Sequence, residues 1–143
     1  MGVLLSQPDL IICPFLKARV PEDIWKEHTC IIIHPGIVGD RGPSSLDWAI
    51  TENRKTWGVT AIQASSEMDA GDIWSSAHFE MRVACKASIY RREVTEAAMR
   101  VICDTVRQFR TTGFRPEPLD YSNVNVKGAL RPSMKQVERR IDW

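Results

Sequence analysis

Long apolar runs are the first thing missing. No stretch of the 143 residues approaches the roughly 20 consecutive apolar positions that a membrane-spanning helix needs, and Val3 to Leu5 is too short for the apolar core of a secretory signal. Charge of one sign is missing too. With 19 Lys and Arg against 18 Asp and Glu, the net charge of +1 gives no electrostatic case for a nucleic-acid partner or an anionic membrane. There is no Gly-x-Gly-x-x-Gly, no phosphate-cradling loop with Lys-Ser/Thr, and no pair of His at metal-ligand spacing, so no metal ligand is assigned. Cys13, Cys30, Cys85 and Cys103 lack the Cys-x-x-Cys spacing of a zinc site. They lie far apart, mostly flanked by Ile, Thr, Val or Ala, and read as buried thiols of a reducing, cytoplasmic setting rather than as a disulfide framework. No internal repeat or low-complexity segment interrupts the chain.

What is present is at most one domain, 43% hydrophobic and 26% charged, long enough for a core of its own. Asp9 to Cys13, bounded by Pro8 and Pro14, reads as a buried strand that leaves through the loop Pro14-Phe15-Leu16-Lys17. Pro21, with Glu22 and Asp23 behind it, starts a short helix. Thr29 to Ile33 is a second strand, and its β-branched Ile31-Ile32-Ile33 is of the kind found in parallel sheets covered on both faces. Ser44 or Ser45 is placed to cap a helix through Leu46, Trp48, Ala49 and Ile50. Gly58 to Ala64 alternates and forms a third strand, Ser65 to Gly71 a polar loop, and Asp72 to about Val83 is extended.

Val94, Ala98, Val101, Cys103, Val106 and Phe109 then mark one face of a long helix from Ile89 to about Phe109, stopped near Gly113. This makes residues 1–112 one globular unit. Residues 113–143, with Pro116, Pro118 and Pro132 and the anchors Leu119, Tyr121 and Trp143, form a Pro-rich strap or a linker toward a further domain. The order of elements predicts an α/β fold with a mostly parallel sheet flanked by helices. Only about three good strands are found and the chain opens almost directly on a central-looking one, so an incomplete N-terminus is expected.

His34 stands where the second strand stops at Pro35-Gly36. In open α/β sheets ligands bind outside the carboxyl ends of strands, which makes this imidazole a candidate acid or base; a plain loop His with a water partner has the same pattern. Glu67, Asp69 and Asp72 crowd the Ser65 to Asp72 loop. If strands two and three are neighbours, one of these carboxylates reaches His34 and steadies its charged form. Solvated, helix-capping acids would look alike, and spacing does not choose among the three. Arg41 either clamps an anion or pairs with Asp40.

Taken together, His34-Pro35-Gly36, Arg41-Gly42, Trp48-Ala49-Ile50, Gly58-Val59-Thr60 and Met68-Asp69-Ala70-Gly71-Asp72-Ile73 resemble the 10-formyltetrahydrofolate-dependent formyltransferases, in the same order. The string His34 to Ile50, with Glu67 to Trp74 and Leu130-Arg131-Pro132 to Ile141-Asp142-Trp143, is similar to the hydrogenase-maturation branch of that family, the HypX/HoxX type. The resemblance implies a Rossmann-like sheet, a 10-formyltetrahydrofolate donor, and residues 1–112 as a partial formyltransferase catalytic domain. It also implies His34 and Asp69 as the catalytic pair, and so chooses Asp69 over Glu67 and Asp72. It implies a folate site built from Pro14, Phe15, Leu16, Arg41, Gly42, Ser65, Ser66, Glu67 and Met68, with the pterin between the loop after Cys13 and Ser65 to Asp69.

Two departures stand out. Most of the family has an Asn two residues before the His, where this chain has Ile32, and the usual Leu-Leu-Pro after the His is replaced by Ile37-Val38-Gly39. An apolar side chain cannot donate to an oxyanion, and a lost donor costs about a hundredfold or more in rate.

The branch further implies a second, enoyl-CoA-hydratase-like half, coenzyme A as acceptor, and a route through formyl-CoA to carbon monoxide for a nickel–iron hydrogenase. Against that pattern the chain is expected to be truncated at both ends, with Met1 internal to a parent domain or the start of a mispredicted or split gene. A formyltransferase acting on an amine (a sugar, a nucleotide precursor or methionyl-tRNA) and an inactive fragment serving as a folate-binding or interaction module are the competing expectations.

Overall fold

The computed structural model describes residues 2–139. A short helix, α1 (Gly2–Ser6), leads into β1 (Leu10–Pro14); α2 (Glu22–Glu27), β2 (Thr29–His34), α3 (Ser45–Thr51), β3 (Thr56–Gln63) and β4 (Ile73–Glu80) follow. One long helical stretch comes next, made of α4 (Lys86–Ile89), a π-helical turn (Tyr90–Val94) and α5 (Thr95–Phe109). After it the chain is an irregular strap with one 3-10 turn at Gln136–Glu138. Trp143, an expected anchor, lies outside the described residues, as do Ile141, Asp142 and Met1.

The sheet has four strands in the order β1-β2-β3-β4, so the α/β class holds. Strand direction is corrected. Only β1 and β2 run parallel, while β2–β3 and β3–β4 are antiparallel. β3 enters at the His34 end of β2, with His34 opposite Thr60 and Ile31 opposite Gln63, so the chain turns at that end and descends beside β2. β3 and β4 are joined locally, the Gln63 N–H donating to the Asp72 carbonyl at 2.9 Å, which makes a hairpin and requires antiparallel strands.

The core lies on one face of this sheet. Ile31 and Ile33 of β2 join Trp57, Val59 and Ala61 of β3, and Val94, Ala97, Ala98 and Val101 of the long helical stretch cover them. The Ile and Val side chains among them, fully withdrawn from water, contribute on the order of 1.5–3 kcal/mol each. The buried face of α5 differs from the expected one, because Cys103 and Val106 are exposed and Thr105 is buried. At 100° per residue Cys103 sits about 200° around from Val101, on the opposite side. Thr105 is accommodated because its hydroxyl donates to the Val101 carbonyl at 2.8 Å.

Three further expectations are corrected. β1 is a half-buried edge strand rather than a covered one. Of the cysteines only Cys30 is buried; Cys13 is half-buried, and Cys85 and Cys103 are exposed. Neither serine caps α3 with its side chain. Ser44 Oγ accepts from the Met134 N–H at 2.9 Å and Ser45 Oγ donates to the Pro35 carbonyl at 2.7 Å, so both hydroxyls are used for tertiary contacts. Among the described residues no helix is long and apolar enough to cross a membrane.

Candidate functional site

Alternation along β2 puts Cys30, Ile32 and His34 on the face opposite the core, with Ile32 paired across to Ile62 and His34 to Thr60. His34 ends the strand, and Pro35-Gly36 turns the chain so that the Gly36 carbonyl accepts the Thr60 hydroxyl at 2.8 Å. The imidazole is 5% exposed and stands between two buried carboxylates. Its Nε2 lies 2.8 Å from Asp40 Oδ2, and its Nδ1 lies 3.6 Å from Asp69 Oδ2. Asp40 is 2% and Asp69 8% exposed.

Asp69 arrives by an indirect route. Because β3 runs antiparallel to β2, the loop after Gln63 starts beside Cys30, at the far end of β2 from His34; the Ala64 N–H donates to the Cys30 carbonyl at 2.8 Å. The loop then folds back along the face past Ile32 until Asp69 meets the imidazole. Asp69 takes a left-handed backbone, φ 56°, which an Asp tolerates better than most residues. The Gly42 N–H donates to its Oδ2 at 3.1 Å, and the Arg41 Nε donates to the Met68 carbonyl next to it at 3.0 Å. Arg41 thus holds the loop; its other contact is Glu67, at 3.4 Å, and it does not pair with Asp40. Of the three candidate acids, Asp69 alone reaches His34, since Glu67 and Asp72 are exposed. Ser65 Oγ donates to the Glu67 carbonyl within the loop at 3.1 Å, and the Ser66 backbone carbonyl accepts from Arg19 at 3.4 Å, tying the loop to the segment after β1.

The strap fixes the loop between β2 and α3 from the other side. Gly128 N–H donates to the Val38 carbonyl and Arg41 N–H to the Ala129 carbonyl, each at 3.1 Å. Arg131 N–H returns to the Arg41 carbonyl at 2.9 Å, and the Tyr121 hydroxyl donates to the Gly39 carbonyl at 2.7 Å. Such close approach requires Gly42, whose φ is 115° and whose missing Cβ would overlap the Arg131 carbonyl.

Two cavities meet at Asp69. The larger, an open cleft of about 510 Å³, is lined by His34, Asp69, Gly42, Met68, Phe15 and Leu16, with Tyr90 in its wall and Lys17, Lys86 and Arg139 among its charged groups. Lys86 is 2.6 Å from Asp47, and Arg139 lies 3.5 Å from it. The smaller, about 30 Å³, lies between the Leu16 to Val20 segment and the Ser65 to Asp69 loop, over Ile32. Phe15 has a left-handed φ of 54°, unusual for an aromatic residue. It is held by its N–H to the Ile33 carbonyl at 3.1 Å and by edge-on packing against Tyr90, with centroids 5.7 Å apart. Burial, and then the charge of Asp47, push the Tyr90 hydroxyl above its usual range. Pro14 is exposed and lines neither cavity.

Sequence reasoning missed the role of Asp40, and the strap it expected beyond residue 113 was not placed against the loop between β2 and α3. Asp40 appeared only as a partner for its neighbour Arg41, and the two side chains in fact diverge, Asp40 to His34 and Arg41 to the Met68 carbonyl. Gly36 is the signal that could have found it, since a Cβ there would overlap both Asp40 Oδ2 and His34 Nε2.

No protein-family model matches the chain. The hydrogenase maturation factor HoxX of Bradyrhizobium diazoefficiens is 43% identical over 142 residues, 99% of this chain but 25% of HoxX. The crystal structure of HypX from Aquifex aeolicus in complex with tetrahydrofolic acid superposes with a TM-score of 0.90 at 46% identity, covering 99% of this chain and 24% of HypX. The methionyl-tRNA formyltransferase of Bacillus velezensis is 25% identical over 144 residues, 99% of this chain and 44% of that enzyme. A methionyl-tRNA formyltransferase from Clostridium thermocellum shares the fold, with a TM-score of 0.71 at 21% identity over 93% of this chain and 55% of the other. With the fold of the formyltransferases, the chain is a relative of the HypX and HoxX proteins that spans about a quarter of their length.

Proposed function

We propose that this chain is the folate-handling part of an enzyme that transfers the formyl group of 10-formyltetrahydrofolate. The observation that carries the proposal is the buried His34 imidazole, flanked by two carboxylates and opening with Asp69 onto the 510 Å³ cleft. The likeness to a HypX crystallised with tetrahydrofolic acid supports the donor.

In such a reaction the acceptor's nucleophile adds to the formyl carbon and the carbonyl oxygen becomes negative. The bond to N10 then breaks as a proton reaches that nitrogen. His34 stabilises the oxyanion and moves the proton, and Asp69 is its electrostatic partner. Ile32, on the same face two residues earlier, offers no donor, so the chemistry rests on His34 and its carboxylates.

The pterin belongs in the narrow cavity over Ile32, between Leu16 and the Ser65 to Met68 loop. At about 30 Å³ this space holds on the order of one water, so a ring system enters only as Leu16 or Met68 moves aside. Arg41 and Gly42 hold the loop that carries Asp69, Phe15 shapes the cleft, and Ser66 and Glu67 edge the folate path.

In the whole protein the acceptor is coenzyme A, bound with the help of a second, enoyl-CoA-hydratase-like domain. Formyl-CoA then leads to carbon monoxide for nickel–iron hydrogenase maturation. The HoxX and HypX likenesses support this, as does the quarter of their length that the chain spans. Residues 113–139 act as a strap on the site before the chain continues toward that domain. The setting is cytoplasmic and reducing, in keeping with four free cysteines.

Assays with 10-formyltetrahydrofolate and either coenzyme A or amine acceptors test the proposal. The expected result is coenzyme A-dependent loss of the formyl group, slowed at least about 100-fold in His34→Ala while a stable 5-formyl folate still binds. Turnover that is indifferent to His34, or that runs only with amines, would overturn it.

A further inference from the structure

We infer that Asp40 is the positioning residue of this site: it fixes the His34 ring by accepting the proton of Nε2 and leaves Nδ1 as the nitrogen that works on substrate. The kinetic side of this inference rests on the formyl-transfer proposal; the structural side does not.

The ring geometry comes first. A carboxylate has no hydrogen to give, so the 2.8 Å contact between Asp40 Oδ2 and Nε2 places the proton on Nε2. On the other side Nδ1 is 3.6 Å from Asp69 Oδ2, beyond a direct hydrogen bond. His34 and Asp69 line the cleft and Asp40 does not, so Nε2 faces the protein and Nδ1 faces the side where an acceptor enters.

Burial argues that the contact is built rather than incidental. Asp40 is 2% exposed, and among the described residues His34 is the one basic side chain within ion-pair distance, at 2.8 Å. A buried carboxylate without compensation is costly, and the nearest cation in sequence, Arg41, is turned away to the Met68 carbonyl. The loop is also fixed on both sides of the carboxylate. Asp40 N–H closes a turn on the Ile37 carbonyl at 2.9 Å, and the strap pairs with Val38 and Arg41. Gly36 completes the arrangement, because any side chain there would occupy the space in which Nε2 and Oδ2 meet. An acid behind an imidazole, outside the reaction cleft, sets the ring's tautomer and angle without touching substrate.

The test is nitrogen-15 NMR of the imidazole rings in the 143-residue chain, with His34 assigned by comparison with His34→Gln, together with steady-state kinetics. The expected spectrum has the neutral ring protonated at Nε2, with that proton exchanging slowly with solvent. In Asp40→Ala the slow exchange is lost, kcat falls about 100-fold, and KM for 10-formyltetrahydrofolate stays within about twofold. Should Asp40→Ala fail to fold, Asp40→Asn, which keeps the shape, is expected to lower kcat at least about 10-fold at unchanged KM.

A bare Nε2 in the wild-type ring overturns the inference. So does an Asp40→Ala chain whose Nε2 proton stays protected, or a folded Asp40 variant that loses KM rather than kcat. A wild-type chain with the expected ring but no formyl transfer overturns the proposed function alone.

Discussion

Ile33 and His34 are adjacent in β2, yet they face regions governed by different physics. On one side Ile31 and Ile33 are fully buried against Val59, Ala61 and the long helical stretch, and shape and volume are all that matter. On the other side Ile32, His34 and Thr60 meet loops that come from three distant parts of the chain: residues 14–20, 36–44 and 64–72. The first face is a packed core made of regular elements. The second is polar, irregular and held by backbone hydrogen bonds, and two of its non-glycine residues, Phe15 and Asp69, have left-handed φ angles. Stability is concentrated on the first face, and the proposed chemistry belongs to the second.

Substitutions on the two faces should therefore separate. The largest effect is expected for His34→Ala, with formyl transfer falling roughly 10²- to 10⁴-fold while 5-formyl folate binding persists, read by turnover and by ligand titration. Ile33→Ala, one residue away, should cost about 2–5 kcal/mol in urea unfolding and leave folate affinity of the folded chain intact. Ile32→Ala reverses that pattern, since this half-buried side chain lines the narrow cavity; a smaller loss of stability and a clear change in folate affinity are expected. A core effect at Ile32 equal to that at Ile33 would break the comparison.

Next comes Gly42→Ala. It adds a Cβ against the Arg131 carbonyl at a φ of 115° and should cost about 1–3 kcal/mol, with weaker folate binding because the Gly42 N–H that holds Asp69 moves.

The smallest effect is a pH dependence at Cys30. Burial, and then the neighbouring Cys13, push its thiol up from 9.0 to about 11. The unfolded thiol then gives up its proton first, so stability is expected to fall as pH climbs from about 9 to about 11. In Cys30→Ser this slope should flatten. At neutral pH, exposed Cys85 and Cys103 should react with a thiol reagent well before Cys30 does.

Much of the core face was legible in the sequence, because period and composition encode it directly. The β-branched run of β2, the alternation of β3 and the helix through Val94, Ala98 and Val101 all follow from spacing. Strand direction was not legible. Alternation is the same for a strand running either way, and the short α3 looked like a crossover when it is a turn at one end. Cys103 and Val106 misled because both are apolar by type, though the angle from Val101 places Cys103 outside.

The site was legible only through a resemblance. Spacing left Glu67, Asp69 and Asp72 open, and what brings Asp69 to His34 is a loop folded back along the sheet, which no local pattern encodes. Asp40 shows the limit most clearly. It lies six positions after His34, its obvious neighbour is Arg41, and only the turn at Gly36 and the strap from residues 128–131 bring it to Nε2.

Thermal unfolding of the 143-residue chain, with and without 5-formyl folate, tests most directly whether these loops assemble a folate site. One cooperative transition that rises with ligand, by about 2.7 kcal/mol at a concentration of 100 Kd, is the expected result. A transition indifferent to folate, or none at all, would contradict the claim that the His34 site is built by this chain.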